Sequence, residues 1–254
     1  MDSFIAWVGG KRLLRKKIIN RIPENIESFI EVFGGAAWVL FAKPLVTGVT
    51  EVYNDVNPNL QNLFLQVKYH PAEFDNELKF CMSSRKLFSD FIKQPGLTEI
   101  QRAVRFFFLI SNSFGGKGQH FGRSFKGGGK SRLNARQRIQ DASVRLDKVI
   151  IENLDFEKLI SDYDHAGAFF YLDPPYVTGQ DYRFTGVEFT EDDHIRLRDR
   201  LKKIKGKFLL SYDDSPAVRE LYKDFKIESV SRLNGINGKN RKNKYFKEVL
   251  ISNY

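Results

Sequence analysis

The chain has 254 residues, 42% hydrophobic and 28% charged, a length that allows one large domain or one domain carrying an insertion. Its single cysteine, Cys81, excludes an intramolecular disulfide and a cysteine-rich zinc site, and its four histidines are scattered, so no metal is expected. No apolar run approaches the roughly 20 residues of a membrane span, and the N-terminus turns basic too early for a signal peptide, so a cytoplasmic address is expected. Lys plus Arg outnumber Asp plus Glu by 41 to 31, giving a net charge of +10. Much of that surplus lies between Glu99 and Asp141, which enclose no acid. Arg102, Arg105, Lys117, Arg123, Lys126, Lys130, Arg132, Arg136 and Arg138 all fall there. Such a stretch is either a solvated basic face or a surface for phosphates, and its concentration favours a polyanionic partner.

In chain order, FIEVF (29–33) predicts a short strand that ends in Gly34-Gly35, and AAWVLFAKP predicts a helix. GVTEVYNDVN (48–57) predicts a second strand ending at Asp55, and NLQNLFLQVKYH a second helix. Strand, glycine turn, helix, strand, helix is the signature of an α/β unit with parallel strands. Residues 71–108 have helical periodicity, and SNSFGGKGQHFGRSFKGGGKS predicts a long basic loop. ARQRIQDASVRL then predicts a helix and KVIIEN a strand. AGAFFYLDPPY predicts a buried strand entering a Pro-Pro turn. FTEDDHIRLRDRLKKIKG predicts a helix opened by a Thr190–Asp193 capping box. KFLLSY, SPAVRELYKDF and KIESVSRL predict strand, helix and strand. After the basic turn NGINGKNRKNK, KEVLISNY predicts a last strand, paired as a hairpin with KIESVSRL.

Asp173-Pro174-Pro175-Tyr176, at the end of a hydrophobic strand, is the sharpest feature. A chance DPPY in such a chain has odds on the order of one in a thousand at average residue usage. It can serve merely as a strand-terminating turn. Open α/β sheets, however, bind ligands outside the carboxyl ends of their strands. A carboxylate and a rigidly held carbonyl can accept both hydrogens of an exocyclic base amine, whose lone pair is otherwise delocalised into the ring. An adjacent tyrosine offers a face for the base to stack upon. That pattern suits methylation of an amine.

DPPY, AWVGGK (6–11), EVFGGAA (31–37) and VYNDVNPNL (52–60) follow one another as in the Dam-like (D12 class) adenine-specific DNA methyltransferases. The carboxyl-terminal NGKNRKNKYFKEVLISNY is similar to that family's ending, and the whole resembles its phage-associated type most. The resemblance implies an α/β S-adenosylmethionine-dependent methyltransferase fold: a Rossmann-like mixed sheet of seven strands, the last antiparallel. Residues 1–56 and 148–254 would form the catalytic domain, and 57–147 a helical target-recognition insertion. It further implies S-adenosylmethionine as methyl donor, adenine N6 in double-stranded DNA as acceptor, and a monomer.

Carried across residue by residue, the resemblance implies that Asp173, Pro174, Pro175 and Tyr176 are catalytic. Trp7 and Lys11 would contact the cofactor, and Glu31, Phe33, Gly34 and Gly35 would lie beneath its methionine moiety. Asp55 would take the ribose hydroxyls, Phe156 would flank the cofactor's adenine, and Asp173 would close the site. Bland alternatives stand beside these: Trp7 and Phe156 as core aromatics, Lys11 as a solvated charge, Asp55 as a helix cap before Pro58. Lys117, Arg123, Lys126, Lys130, Arg132, Lys239 and Arg241 are the candidate DNA contacts. The chain departs from the family at Ala6, where a basic residue is common, at Val32 in place of proline, and at Ala36 and Ala37 in place of glycines. Its basic loop does not reproduce the hairpin of GATC-reading members. The rival readings are a cytosine-N4 or RNA-base methyltransferase and a catalytically silent DNA-binding protein.

Overall fold

Seven strands make one sheet. Strands β1 (Ser28–Glu31), β2 (Thr50–Asn54), β3 (Ile150–Glu152), β4 (Ala168–Leu172) and β5 (Lys207–Asp213) run parallel. Strand β7 (Tyr245–Ser252) lies antiparallel between β5 and β6 (Lys226–Leu233), so the order is β3-β2-β1-β4-β5-β7-β6. This is the mixed sheet with an antiparallel last strand that the resemblance implies, and the β6–β7 hairpin matches the sequence reading. The structure, a computed structural model, describes residues 1–122, 132–177, 188–233 and 245–254.

The central strands are buried along their whole length, which is why FIE and AFFYL read as continuous apolar runs. Side-chain alternation divides the core in two. Phe29, Tyr53 and Phe169 face one layer, and Ile30, Val52 and Phe170 the other. Helices α1 (Arg15–Ile19), α2 (Trp38–Ala42), α3 (Pro58–Tyr69) and α7 (Arg132–Leu146) contribute to the first layer. The second holds α8 (Phe156–Tyr163), α9 (Glu191–Lys202) and α10 (Pro216–Leu221). Asn57 opens α3 by accepting from Asn59 N, with Pro58 in the first turn. The predicted capping box opens α9: Thr190 Oγ1 accepts from Asp193 N, and Asp193 Oδ2 from Thr190 N.

The stretch 71–108 is not one helix but three: α4 (Pro71–Leu78), α5 (Arg85–Lys93) and α6 (Glu99–Asn112), the last running two residues into the predicted loop. Ser84 and Thr98 cap α5 and α6. These helices share an apolar core with the sheet. Tyr53 of β2 stacks on Phe64 of α3 at 4.0 Å and 9°, and Phe107 of α6 packs against Phe4 and Phe74. A buried ion triad fastens α7 to the sheet. Arg145 grips Glu51 of β2 with two bonds (2.6 and 2.9 Å) and Leu40 O at 2.7 Å, while Lys43 donates to the same carboxylate at 2.5 Å. No helix among the described residues is long and apolar enough to cross a membrane.

Candidate active site

Strand order reverses at β1, which pairs with β2 on one side and β4 on the other. The carboxyl ends of these three strands open onto a pocket of about 810 Å³, mouth included. Trp7, Lys11, Glu31, Phe33, Gly34, Gly35, Asp55, Asp173 and Pro175 all line it, as do Trp38, Tyr171 and Phe189, which sequence reading did not single out.

The turn after β1 is tight because its glycines have close neighbours. A Cβ on Gly34 would stand 2.2 Å from the Tyr53 ring and 2.8 Å from Asn54 O. Gly35 has a φ of 49° and faces Trp7, while Ala37 adopts left-handed geometry (φ 52°) that glycine takes without strain. Asp55 holds this turn from β2: its Oδ2 accepts from Gly35 N at 2.8 Å and its Oδ1 from Asn57 N at 2.9 Å. Asn57, not Asp55, is therefore the cap of α3. Burial raises the Asp55 carboxyl to about 6, against the lowering effect of those two N–H groups.

Glu31 is buried at the end of β1, and its Oε2 accepts from Leu40 N at 2.8 Å. It thus satisfies the first turn of α2, whose cap residue Ala37 has no side chain to do so. Burial pushes its carboxyl up to about 8, the Leu40 and Val39 N–H groups opposing. Because the folded value lies above the ordinary 4.5, the protonated acid stabilises the fold. That contribution is full below about 4.5 and lost once the pH has risen through about 8. Denaturation midpoints measured from pH 5 to 9 should therefore fall more steeply for the native chain than for Glu31→Gln, which stays neutral throughout.

Asp173 follows β4 directly. Lys11 Nζ bridges its carboxylate, 2.6 Å from Oδ1 and 2.7 Å from Oδ2, and also donates to Gly9 O. Ser211 of β5 donates to Oδ1 at 3.0 Å and stands 3.1 Å from the Tyr171 hydroxyl. A carboxylate offers about four acceptor positions. These bonds take three, which leaves one on Oδ2, and the side chain retains 16% exposure. Burial raises the Asp173 carboxyl, and Lys11 opposes it with charge and hydrogen bond. Tyr176 donates to Glu248 Oε2 at 2.9 Å, and Lys11 lies 4.9 Å from the Tyr176 ring centroid.

Three predicted residues stand off the pocket wall. Pro174 is buried inside the turn and Tyr176 is half-buried beside it. Phe156 is buried behind the wall, packed on Phe33 (5.8 Å) and Phe189 (5.7 Å), and lines an adjoining cleft. Sequence reading missed Ser211 and Glu248. Each is a polar residue in an apolar strand, KFLLSYD and KEVLIS, and that misfit was the available signal.

Among the candidate DNA contacts, Lys117 is exposed beyond α6, and Arg132 begins α7. Arg123, Lys126, Lys130, Lys239, Arg241 and the Arg132 side chain lie outside the described residues. Part of the basic stretch serves the fold: Arg102 pairs with Glu99, Arg136 with Asp75, and Arg105 donates to Gln94 O. No group of three or more His, Cys, Asp or Glu among the described residues could hold a metal.

Residues 7–236 match the family model of the D12 class N6 adenine-specific DNA methyltransferases. Type II methyltransferase M1.LlaDCHI of Lactococcus lactis subsp. cremoris is 28% identical over 286 positions, covering 100% of this chain and 96% of its own length. Type II methyltransferase M.MjaIII of Methanocaldococcus jannaschii is 28% identical over 292 positions, covering 100% and 99%. Type II methyltransferase M.CviBI of Paramecium bursaria Chlorella virus NC1A is 26% identical over 231 positions, covering 87% and 86%.

Proposed function

The chain belongs to the D12 class N6 adenine-specific DNA methyltransferases, and on that premise we propose that it methylates an adenine flipped out of duplex DNA, with S-adenosylmethionine as donor. The observation that carries this reading is the convergence of Asp173, Asp55 and the Gly34-Gly35 turn on one pocket at the carboxyl ends of β4, β2 and β1.

The residues present fit the donor. Asp55 offers a half-buried carboxylate for ribose hydroxyls, Gly34 and Gly35 admit close backbone approach beside Glu31, and Trp7 and Phe33 supply aromatic walls backed by Phe156. Lys11 and Asp173 lie at the catalytic end. When bound, S-adenosylmethionine supplies an electrophilic methyl group. Asp173, through its remaining acceptor position, and the Pro174 carbonyl accept hydrogen bonds from both amine hydrogens of the target adenine and turn its nitrogen lone pair out of conjugation; one of those protons is lost once the nitrogen carries the methyl group. Pro174 and Pro175 hold that carbonyl rigidly, and Tyr176 stacks on the extruded base. Lys11 balances the Asp173 charge. No metal enters the reaction.

Helices α3 to α7, within the insertion 57–147, form the target-recognition part, with the basic residues of that stretch and of the 234–244 turn contacting phosphates of double-stranded DNA. The protein acts as a monomer in the cytoplasm.

Ionised Asp55 is the form that accepts from a diol. The KM for S-adenosylmethionine should therefore rise as the pH falls below about 6. Asp55→Asn should raise that KM roughly tenfold at pH 8, the scale of a charged hydrogen bond, and abolish the acidic rise. Steady-state kinetics from pH 5 to 8 check both. The reading as a whole is tested by transfer of label from methyl-tritiated S-adenosylmethionine to unmethylated duplex DNA. Incorporation is expected; tight DNA binding without incorporation would make the chain a silent binder.

A further inference from the structure

Glu248 is an acid set in the last strand just before Val249-Leu250-Ile251, and it is 1% exposed. A buried carboxylate is costly unless its partners compensate it. Two of its partners lie at the candidate site: the Tyr176 hydroxyl at 2.9 Å and Lys11 Nζ at 4.0 Å. Strand β7 brings it there by pairing antiparallel with β5, Glu248 lying opposite Asp213. Tyr176 is held by its phenol on Glu248, by the Lys11 ammonium 4.9 Å from its ring centroid and by packing on Tyr212 at 5.9 Å.

The geometry points to Glu248 as a positioning residue: by accepting the phenol hydrogen it fixes where the tip of the Tyr176 ring, on which the target base stacks, is held. This inference rests on the reading of the DPPY turn as the methylation site. A tyrosine swings its whole ring about χ1, and stacking positions the reacting nitrogen only if that swing is stopped. A displacement of about 1 Å can cost a hundredfold in rate. Glu248 lies beyond residues 7–236, so the family match does not cover it.

The test compares the full chain with Tyr176→Phe, Glu248→Met, Glu248→Gln and the double variant Tyr176→Phe/Glu248→Met. Methyl transfer to unmethylated duplex DNA and S-adenosylmethionine binding are measured for each. Tyr176→Phe and Glu248→Met should each lower kcat about tenfold and leave cofactor affinity within about twofold. The double variant should be no worse than Glu248→Met alone, because that variant has already removed the Tyr176 bond. Glu248→Gln, which keeps an acceptor, should retain most of the rate. Multiplying effects in the double variant, or a Gln variant as slow as Met, would overturn the assignment. If Glu248→Met does not fold, Tyr176→Phe decides: a kcat within twofold of the native chain overturns it.

The χ1 rotamer averaging of carbon-13-labelled tyrosine, read from three-bond couplings with the Tyr176 signal identified by its loss in Tyr176→Phe, separates this inference from the reaction itself. A single χ1 rotamer in the native chain and averaging in Glu248→Met support the anchor, and equal averaging refutes it. A native chain that methylates nothing would sink the reaction reading and leave this comparison standing.

Discussion

Replacing Asp173 with alanine is expected to lower the rate of methyl transfer by roughly a hundred- to a thousandfold, the range seen when a preorganised hydrogen-bonding group is removed. An adenine amine donates its lone pair into the ring, so the nitrogen becomes nucleophilic only when acceptors draw its hydrogens aside. In the proposed reaction Asp173 is the charged acceptor, through its remaining position on Oδ2. The loss should fall on kcat rather than on cofactor affinity, which the proposed reading assigns mainly to Asp55 and the Gly34-Gly35 turn. The fold should survive, because Lys11 retains Gly9 O and the Glu248 carboxylate, 3.1 and 4.0 Å away. Circular dichroism and calorimetric titration with S-adenosylmethionine verify those two conditions, and single-turnover kinetics measures the loss.

The second large effect concerns stability. Glu51 pairs with two cations buried with it, Lys43 and Arg145, the three at 6%, 6% and 9% exposure. Glu51→Ala removes the only acid the triad contains and strands both cations away from water. Breaking a buried pair in this way costs about 3–5 kcal/mol. For a chain of this size that corresponds to a fall in Tm of roughly 6–20 °C, since each kcal/mol moves Tm by about 2–4 °C. Because the triad ties α7 to β2, DNA binding should weaken along with stability. The triple replacement Lys43→Met/Glu51→Leu/Arg145→Met, which removes all three charges together, should recover most of the lost Tm. Thermal melts of the single and triple variants distinguish a stranded charge from a simple packing defect.

Much of the architecture was legible because the central strands are buried on both faces. FIEVF and AGAFFYLDPPY read as strands of a parallel α/β unit, and Thr190 with Asp193 marked a helix start. Helix boundaries were less legible. The breaks between α4, α5 and α6 rest on Ser84 and Thr98 caps inside a sequence whose apolar spacing continues across them. Helix α8 escaped notice because it is only eight residues long, and NLDFEKL drew attention to Phe156 alone.

The pocket was legible in its motifs but not in its wiring. Lys11, which precedes α1, and Asp173, which follows β4, stand 162 positions apart and meet only in the folded chain. Nothing in the spacing of AWVGGK and DPPY says that the lysine bridges the aspartate. Glu248 reaches the site through the insertion of β7 between β5 and β6, a feature of sheet order rather than of any local pattern. Asp55 was read with a helix-capping alternative, and the structure gives that cap to Asn57, two residues on.

The most direct measurement is the identity of the methylated nucleoside. Unmethylated duplex DNA, treated with the native chain or Asp173→Ala in the presence of S-adenosylmethionine, would be digested and analysed by mass spectrometry. N6-methyldeoxyadenosine with the native chain, and almost none with the variant, is the predicted result. N4-methyldeoxycytidine, or equal methylation by the two proteins, would contradict the account.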